Sequence, residues 1–85
     1  MHAIEFTKQA AQALKAMPRN VAATIRAKLD MLASNPYAPN PNASRLAGRP
    51  GYRLRVGDWR VLYQIEDGRL VILVVAVCPR GSAYQ

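Results

Sequence analysis

Residues 51–66, GYRLRVGDWRVLYQIE, leave this 85-residue chain few ways to fold. On both sides of Gly57 and Asp58, apolar residues alternate with polar or charged ones, which is typical of β-strands with one buried face. A two-residue Gly-Asp loop suits a type II′ turn, because that turn requires glycine at its first central position. The segment therefore predicts a β-hairpin.

The predicted turn also fixes which residues lie opposite each other. Arg55 lies opposite Arg60 and Arg53 lies opposite Leu62, so the three arginines share one face. Like charges directly across a ladder are destabilising, and a binding site for a polyanion would justify that cost. The alternative is that the arginines only form the solvated face of an amphipathic hairpin. The other face is apolar and carries Tyr52, Leu54, Val56, Trp59, Val61 and Tyr63.

The charge balance favours an anionic partner. Twelve Lys and Arg against five Asp and Glu give a net charge of +7. The three lysines precede residue 30, whereas all basic residues from Arg45 onward are arginines. Arginine grips phosphate or carboxylate with a planar fork and stays charged when partly buried. We therefore expect nucleic acid or an acidic protein as the partner.

The rest of the composition argues against several kinds of protein. With only Cys78 and His2, neither an internal disulfide nor a zinc site is supported, and no cofactor is expected. The N-terminus does not resemble a signal peptide, and the longest apolar run, residues 70–78, is too short to span a membrane. These features predict a cytoplasmic chain with no membrane association, folded as one domain over residues 1–85.

The N-terminal part predicts a short strand followed by two helices. Residues 2–6 are expected to form the strand, and Thr7 to cap a helix over residues 8–16. Pro18 ends this helix and is expected to open the next at its first position. The second helix is expected to continue to about Ser34, with an apolar stripe formed by Val21, Ile25, Leu29 and Leu32.

The C-terminal part predicts a meander. Residues 35–50 contain four of the six prolines and are expected to be an irregular connection, anchored to the core by Leu46. Arg45 and Arg49 are expected either to extend the basic face or to be solvated. Asp67 and Gly68 predict a second hairpin turn, and residues 69–77 the returning strand. This turn places Tyr63 opposite Ile72, Val61 opposite Val74 and Arg60 opposite Val75.

The returning strand, which includes LVILVVAV, is apolar on both faces and is therefore expected to be central, with residues 2–6 pairing on its far side. The predicted fold class is α+β, a small sandwich made of an N-terminal strand, a helix hairpin and a three-stranded antiparallel meander.

This order of elements, together with YRLRVGDWRVLYQIEDGRLVILVV and a terminal Arg and Tyr, resembles the RelE/ParE superfamily of toxins. The resemblance covers nearly the whole chain. It implies a toxin of a type II toxin–antitoxin system that is neutralised by a cognate antitoxin. Its RelE branch cuts mRNA on the ribosome without a metal, by attack of the 2′-hydroxyl on the adjacent phosphate. The resemblance assigns this chemistry to Arg53, Arg55, Arg60, Arg80 and Tyr84.

Two departures from the RelE pattern keep a second function open. Cys78 and Pro79 precede Arg80 where the family often has Gly-His, and Arg53 and Arg55 stand where the RelE branch commonly has lysine. Arginine does not readily exchange a proton, so acid–base work would fall on Tyr84. The resemblance is therefore also compatible with the ParE branch, which inhibits DNA gyrase, and with a binding module that has lost catalysis. Arg60, Arg80 and Tyr84 favour the nuclease.

Overall fold

The computed structural model describes residues 2–79, which form five strands and two helices. The strands are β1 (Ala3–Phe6), β2 (Ala43–Arg45), β3 (Tyr52–Val56), β4 (Trp59–Glu66) and β5 (Val71–Pro79), and the helices are α1 (Lys8–Ala16) and α2 (Arg19–Ser34). All strands belong to one sheet in the order β1-β5-β4-β3-β2. The predicted α+β class is confirmed.

The boundaries of the helices follow from local hydrogen bonding. The Thr7 hydroxyl accepts a hydrogen bond from the Ala10 N–H, so the predicted cap of α1 is confirmed. Pro18 lies just outside α2 as its N-cap, one position before the predicted one. Its carbonyl accepts hydrogen bonds from the N–H groups of Val21 and Ala22 and so starts the helix.

The two helices pack on one face of the sheet and form the main core with it. In α2 the stripe residues Ile25, Leu29 and Leu32 are buried, and Val21 packs partly buried against them. The sheet contributes buried side chains from its three middle strands: Leu54, Val56, Val61, Tyr63, Ile72, Val74 and Val77. Burial of this continuous apolar surface is the main force that holds helices and sheet together.

Strand β5 lies inside the sheet, as its two apolar faces predict. It pairs with β4 in antiparallel orientation and with β1 in parallel orientation, with Ile4 opposite Ile72. The predicted pairing of the N-terminal segment on the far side of β5 is therefore confirmed.

The connection over residues 35–50 is not wholly irregular, contrary to the prediction. It contains β2, a three-residue strand that pairs with β3 at the edge of the sheet, with Ser44 opposite Arg53. A strand this short carries almost no periodic signal, and its pairing depends on a partner already formed by β3.

The turn between β4 and β5 is longer than predicted. Residues 67–70 all lie in the loop, and the N–H groups of Arg69 and Leu70 donate to the carbonyls of Glu66 and Asp67. Leu70 adopts a positive φ of 53°, which is unusual for a residue with a side chain. The strands consequently begin to pair at Glu66 and Val71.

A bulge between Leu62 and Tyr63 shifts the register of β4 and β5 once more. The longer loop and the bulge together displace every predicted pair in this hairpin. The predictions that Tyr63 faces Ile72, Val61 faces Val74 and Arg60 faces Val75 are therefore wrong, and the observed partners are Val74, Val77 and Cys78.

Candidate nucleic-acid interface

The β3–β4 hairpin presents its arginines as the sequence predicts. Gly57 has a positive φ of 58° at the first loop position, as the predicted type II′ turn requires. Arg55 pairs with Arg60, and Arg53 pairs with Leu62. Because successive side chains alternate between faces, Arg53, Arg55 and Arg60 lie on the face opposite the helices. We call these three residues the arginine face.

The positive charge of the arginine face is not neutralised within the described residues. None of its guanidinium groups forms a hydrogen bond or ion pair with another residue of 2–79, whereas Arg69 pairs with both Glu5 and Glu66. The hydrogen bonds from Glu66 and Glu5 raise the pKa of Arg69. Two of the five carboxylates thus pair with an arginine elsewhere, and the arginine face is left available to an external anion.

Two hollows flank Arg60. The first, the hairpin-tip hollow, has a volume of about 180 Å³ and is lined by Arg55, Gly57, Trp59 and Arg60. The second, the loop hollow, has a volume of about 50 Å³. Arg60 is thus positioned to contact a ligand that occupies either side. The loop hollow is lined by Leu46, Arg49, Arg53, Arg60, Leu62, Cys78 and Pro79.

The segment that bounds the loop hollow is held close to the sheet. The Leu46 N–H donates to the Gly51 carbonyl at 3.0 Å, which closes the loop. Gly51 has φ 111°, and a Cβ atom there would lie 3.1 Å from the Tyr63 carbonyl oxygen, so glycine allows the close approach. Leu46 packs against a small buried cluster on the arginine side of the sheet, which confirms it as an anchor. The cluster consists of Leu62, Ala76 and Cys78.

Cys78 lies directly opposite Arg60, in a setting that does not favour a nucleophilic role. Its side chain is buried among apolar neighbours, and burial raises the pKa of its thiol. A neutral thiol is a poor nucleophile. Cys78 instead contributes to the apolar floor beneath the arginines.

The prediction that Trp59 packs in the core is confirmed, but the same residue also borders a surface hollow. Its ring is partly buried against the main core, but it also lines the hairpin-tip hollow with Arg55 and Arg60. Alternation assigns it correctly to the core face, but it does not show that a residue next to a hairpin turn is open at the end of the sheet. The position of Trp59 directly after the Gly57-Asp58 turn could have indicated this exposure.

The other two candidates, Arg80 and Tyr84, lie outside the described residues. Strand β5 ends at Pro79, which pairs with Trp59. The structure therefore brings together Arg53, Arg55 and Arg60 of the five predicted site residues.

Within residues 2–79, no three His, Cys, Asp or Glu side chains converge to hold a metal ion. Neither helix in this part of the chain has the length and apolar character needed to cross a membrane.

Comparison with protein families decides the identity of the chain. Residues 4–84 match the model for the ParE toxin of type II toxin–antitoxin systems, parDE. The chain belongs to the RelE/ParE superfamily of toxins. No curated protein sequence matches this toxin significantly.

Solved structures share the fold of the toxin. A chain of the archaeal RelE–RelB complex from Pyrococcus horikoshii OT3 is 28% identical with a TM-score of 0.81, over 96% of this toxin and 98% of that chain. A chain of the intact E. coli RelBE toxin–antitoxin complex is 22% identical with a TM-score of 0.80, over 93% of this toxin and 96% of that chain.

Proposed function

We propose that this toxin is a ribosome-dependent endonuclease that cuts mRNA without a metal ion. The observation that carries the proposal is the arginine face, whose positive charge has no counterion among the described residues and whose Arg60 borders two hollows. A single-stranded polyanion suits this arrangement, because successive phosphates can contact arginines spaced about 7 Å apart along β3.

The arginines would act on the charge that develops during cleavage. The 2′-oxygen attacks the adjacent phosphorus and the bond to the 5′-oxygen breaks, which leaves a cyclic phosphate and a 5′-hydroxyl. The intermediate carries additional negative charge on its phosphoryl oxygens, and fixed guanidinium groups stabilise that charge without reorganising. Alignment of the 2′-hydroxyl with the phosphate contributes much of the remaining acceleration.

Two protons must move in this reaction. One leaves the 2′-hydroxyl and another reaches the 5′-oxygen. Arginine does not exchange protons near neutral pH, so the proposal assigns both transfers to Tyr84, whose phenolate takes the first proton and whose hydroxyl then gives a proton to the 5′-oxygen. Arg80 is assigned to the same phosphate as a charge donor, by the resemblance that identified both residues.

We further propose that a cognate antitoxin binds this toxin and covers the arginine face. The matched E. coli and P. horikoshii toxins are bound to RelB proteins, which supports a protein partner of this kind. The net charge of +7 favours a partner that presents carboxylates to the exposed arginines.

Inhibition of DNA gyrase is the second candidate function. The family match to ParE toxins and the arginines at the positions where RelE commonly has lysine favour it. The third candidate function is a module that binds a partner without catalysis. Expression of such a module alone would leave growth unimpeded.

Primer extension on cellular mRNA after induced expression tests the proposal. We expect cuts phased with the codons, and we expect them to disappear when the antitoxin is co-expressed. Intact mRNA together with stalled replication and a DNA-damage response would overturn the nuclease in favour of gyrase inhibition. A supercoiling assay with purified gyrase provides the matched measurement.

A further inference from the structure

Trp59 packs against the core from β4 but also lines two hollows at the surface. Val61, two residues along β4, is fully buried, whereas Trp59 is only partly buried against the core. Its ring lines the hairpin-tip hollow on one side and, on the other, a hollow shared with the first turns of α2. The indole is therefore anchored by the core and still available to a ligand.

The hairpin-tip hollow combines this aromatic ring with two guanidinium groups. Arg55 and Arg60 line it, and neither is paired with a carboxylate among the described residues. A Cβ atom built on Gly57 would meet nothing within 4 Å, so the wall is open at the turn. With a volume of about 180 Å³, the hollow admits a single planar group of a larger ligand, and the rest of that ligand lies outside it.

We infer that the hairpin-tip hollow is a nucleobase subsite, in which one unpaired base of single-stranded RNA stacks against Trp59. Aromatic rings and guanidinium planes are the surfaces on which proteins stack splayed-out bases. The phosphate attached to such a base is the natural ligand of Arg60 at the rim of the hollow. This inference deepens the proposed function and rests on it.

The loop hollow does not offer an equivalent site. Its volume is about 50 Å³, and none of the described residues that line it carries an aromatic ring on which a base could stack. Base recognition is therefore expected on the hairpin-tip side of Arg60 only. Trp59 becomes a positioning residue that sets where the neighbouring phosphate lies.

The fluorescence of Trp59 tests the subsite directly, because this is the only tryptophan in the chain. The probe is a short 2′-O-methyl RNA, which the toxin cannot cleave because the attacking hydroxyl is blocked. We expect saturable quenching, and much weaker quenching by an abasic oligonucleotide with the same number of phosphates. Equal quenching by both, or by poly-glutamate of matched charge, would overturn the subsite.

Variants separate stacking from packing. Trp59→Leu should bind the labelled 2′-O-methyl RNA about tenfold more weakly while binding of the abasic oligonucleotide is unchanged. Trp59→Phe, which keeps an aromatic face and most of the core contact, should recover part of the difference and remains informative if the leucine variant melts early. Met31→Ala, at an exposed apolar residue on α2, is the control and should bind as the unmodified toxin does.

Cleavage is measured in a separate assay, so that failure of the nucleobase subsite can be distinguished from failure of the proposed nuclease activity. Codon-phased cleavage without base-dependent quenching would overturn the subsite and leave the nuclease standing. Base-dependent quenching in a protein that leaves mRNA intact in cells would overturn the nuclease and leave RNA-base binding standing.

Discussion

Arg60 lies across the ladder from Arg55, with its guanidinium free of hydrogen bonds and ion pairs to the described residues. Replacing it by alanine removes a like-charge neighbour and opens no cavity in the main core. We expect Arg60→Ala to keep its thermal stability and to lose about a hundredfold in cleavage rate, as is typical when one preorganised charge donor is removed. Melting temperature and mRNA cleavage should be measured together, since an unfolded variant would contradict the placement of Arg60.

Val61, the next residue, provides the opposite case. It is fully buried between the sheet and the helices. Val61→Ala should lower the free energy of unfolding by about 1–3 kcal/mol, because it removes two methyl groups from water-free surroundings and leaves a void. The folded fraction of this variant should still cleave mRNA. Denaturant titration gives the stability, and an unchanged midpoint would show that the strand faces had been exchanged.

Asp67 connects three separate parts of the chain near the β4–β5 turn. It accepts hydrogen bonds from the Tyr37 hydroxyl and from His2, and these bonds, with Tyr37 first, lower the pKa of its carboxyl below the ordinary value near 3.8. A carboxyl whose pKa is lower in the folded state stabilises the fold above its unfolded pKa, and this contribution is lost as the pH falls through the folded value.

The stability of Tyr37→Phe should therefore depend less on pH in acid. We expect the unmodified toxin to be more stable than Tyr37→Phe at pH 6, and the difference to shrink progressively below about pH 4 as Asp67 is protonated. Urea titrations of both proteins between pH 2 and pH 7 would check this. A difference that stays constant over the whole range would exclude Asp67 as the cause.

At the scale of the elements, β5 extends beyond the end of β1, and side chains from α1 and its cap cover the exposed part of its edge. The Gln9 amide both donates to the Val77 carbonyl, at 3.3 Å, and accepts from the Val77 N–H, at 3.2 Å, in the manner of a neighbouring strand. The Thr7 hydroxyl donates to the Val75 carbonyl. Gln9 thus satisfies backbone groups that would otherwise form an open sheet edge.

We expect Gln9→Leu to cost about 1–3 kcal/mol of stability, because it leaves both polar groups of Val77 without a partner. It should also promote self-association, since an uncovered edge is a template for strand pairing. Gln12→Leu, at an exposed position of the same helix, is the matched control for added apolar surface. Denaturation and light scattering would measure the two effects, and equal behaviour of both variants would contradict the capping role.

The elements differ in how well the sequence predicts them. The register of β3 and β4 follows from alternation and a two-residue turn, because both are local properties of the chain. The register of β4 and β5 does not, since Asp67 and Gly68 are equally compatible with the observed longer loop, and the bulge near Leu62 depends on packing on both sides of the sheet. The exposure of Trp59 was missed for a similar reason, because it depends on where the sheet ends.

At the scale of the whole molecule, the excess of positive charge predicts a marked effect of salt on RNA binding. If Arg53, Arg55 and Arg60 each contact one phosphate, the logarithm of the binding constant for single-stranded RNA should fall with the logarithm of salt concentration with a slope of about −2. Replacing Arg53 by glutamine should reduce that slope by roughly 0.7. Anisotropy titrations at several salt concentrations would measure it, and a slope near zero would exclude phosphate contacts by these residues.

The position of β5 between β1 and β4 has a consequence for how the chain acquires its fold. The helices and the β3–β4 hairpin are built from contacts between neighbours in sequence, whereas β1 joins the sheet only through β5, the last of the described strands. Pairings between segments so distant in sequence are formed slowly. During synthesis an emerging chain therefore holds a hairpin and a bare β1 without a joined sheet, and the arginine face reaches its full support only after the final strand has been inserted.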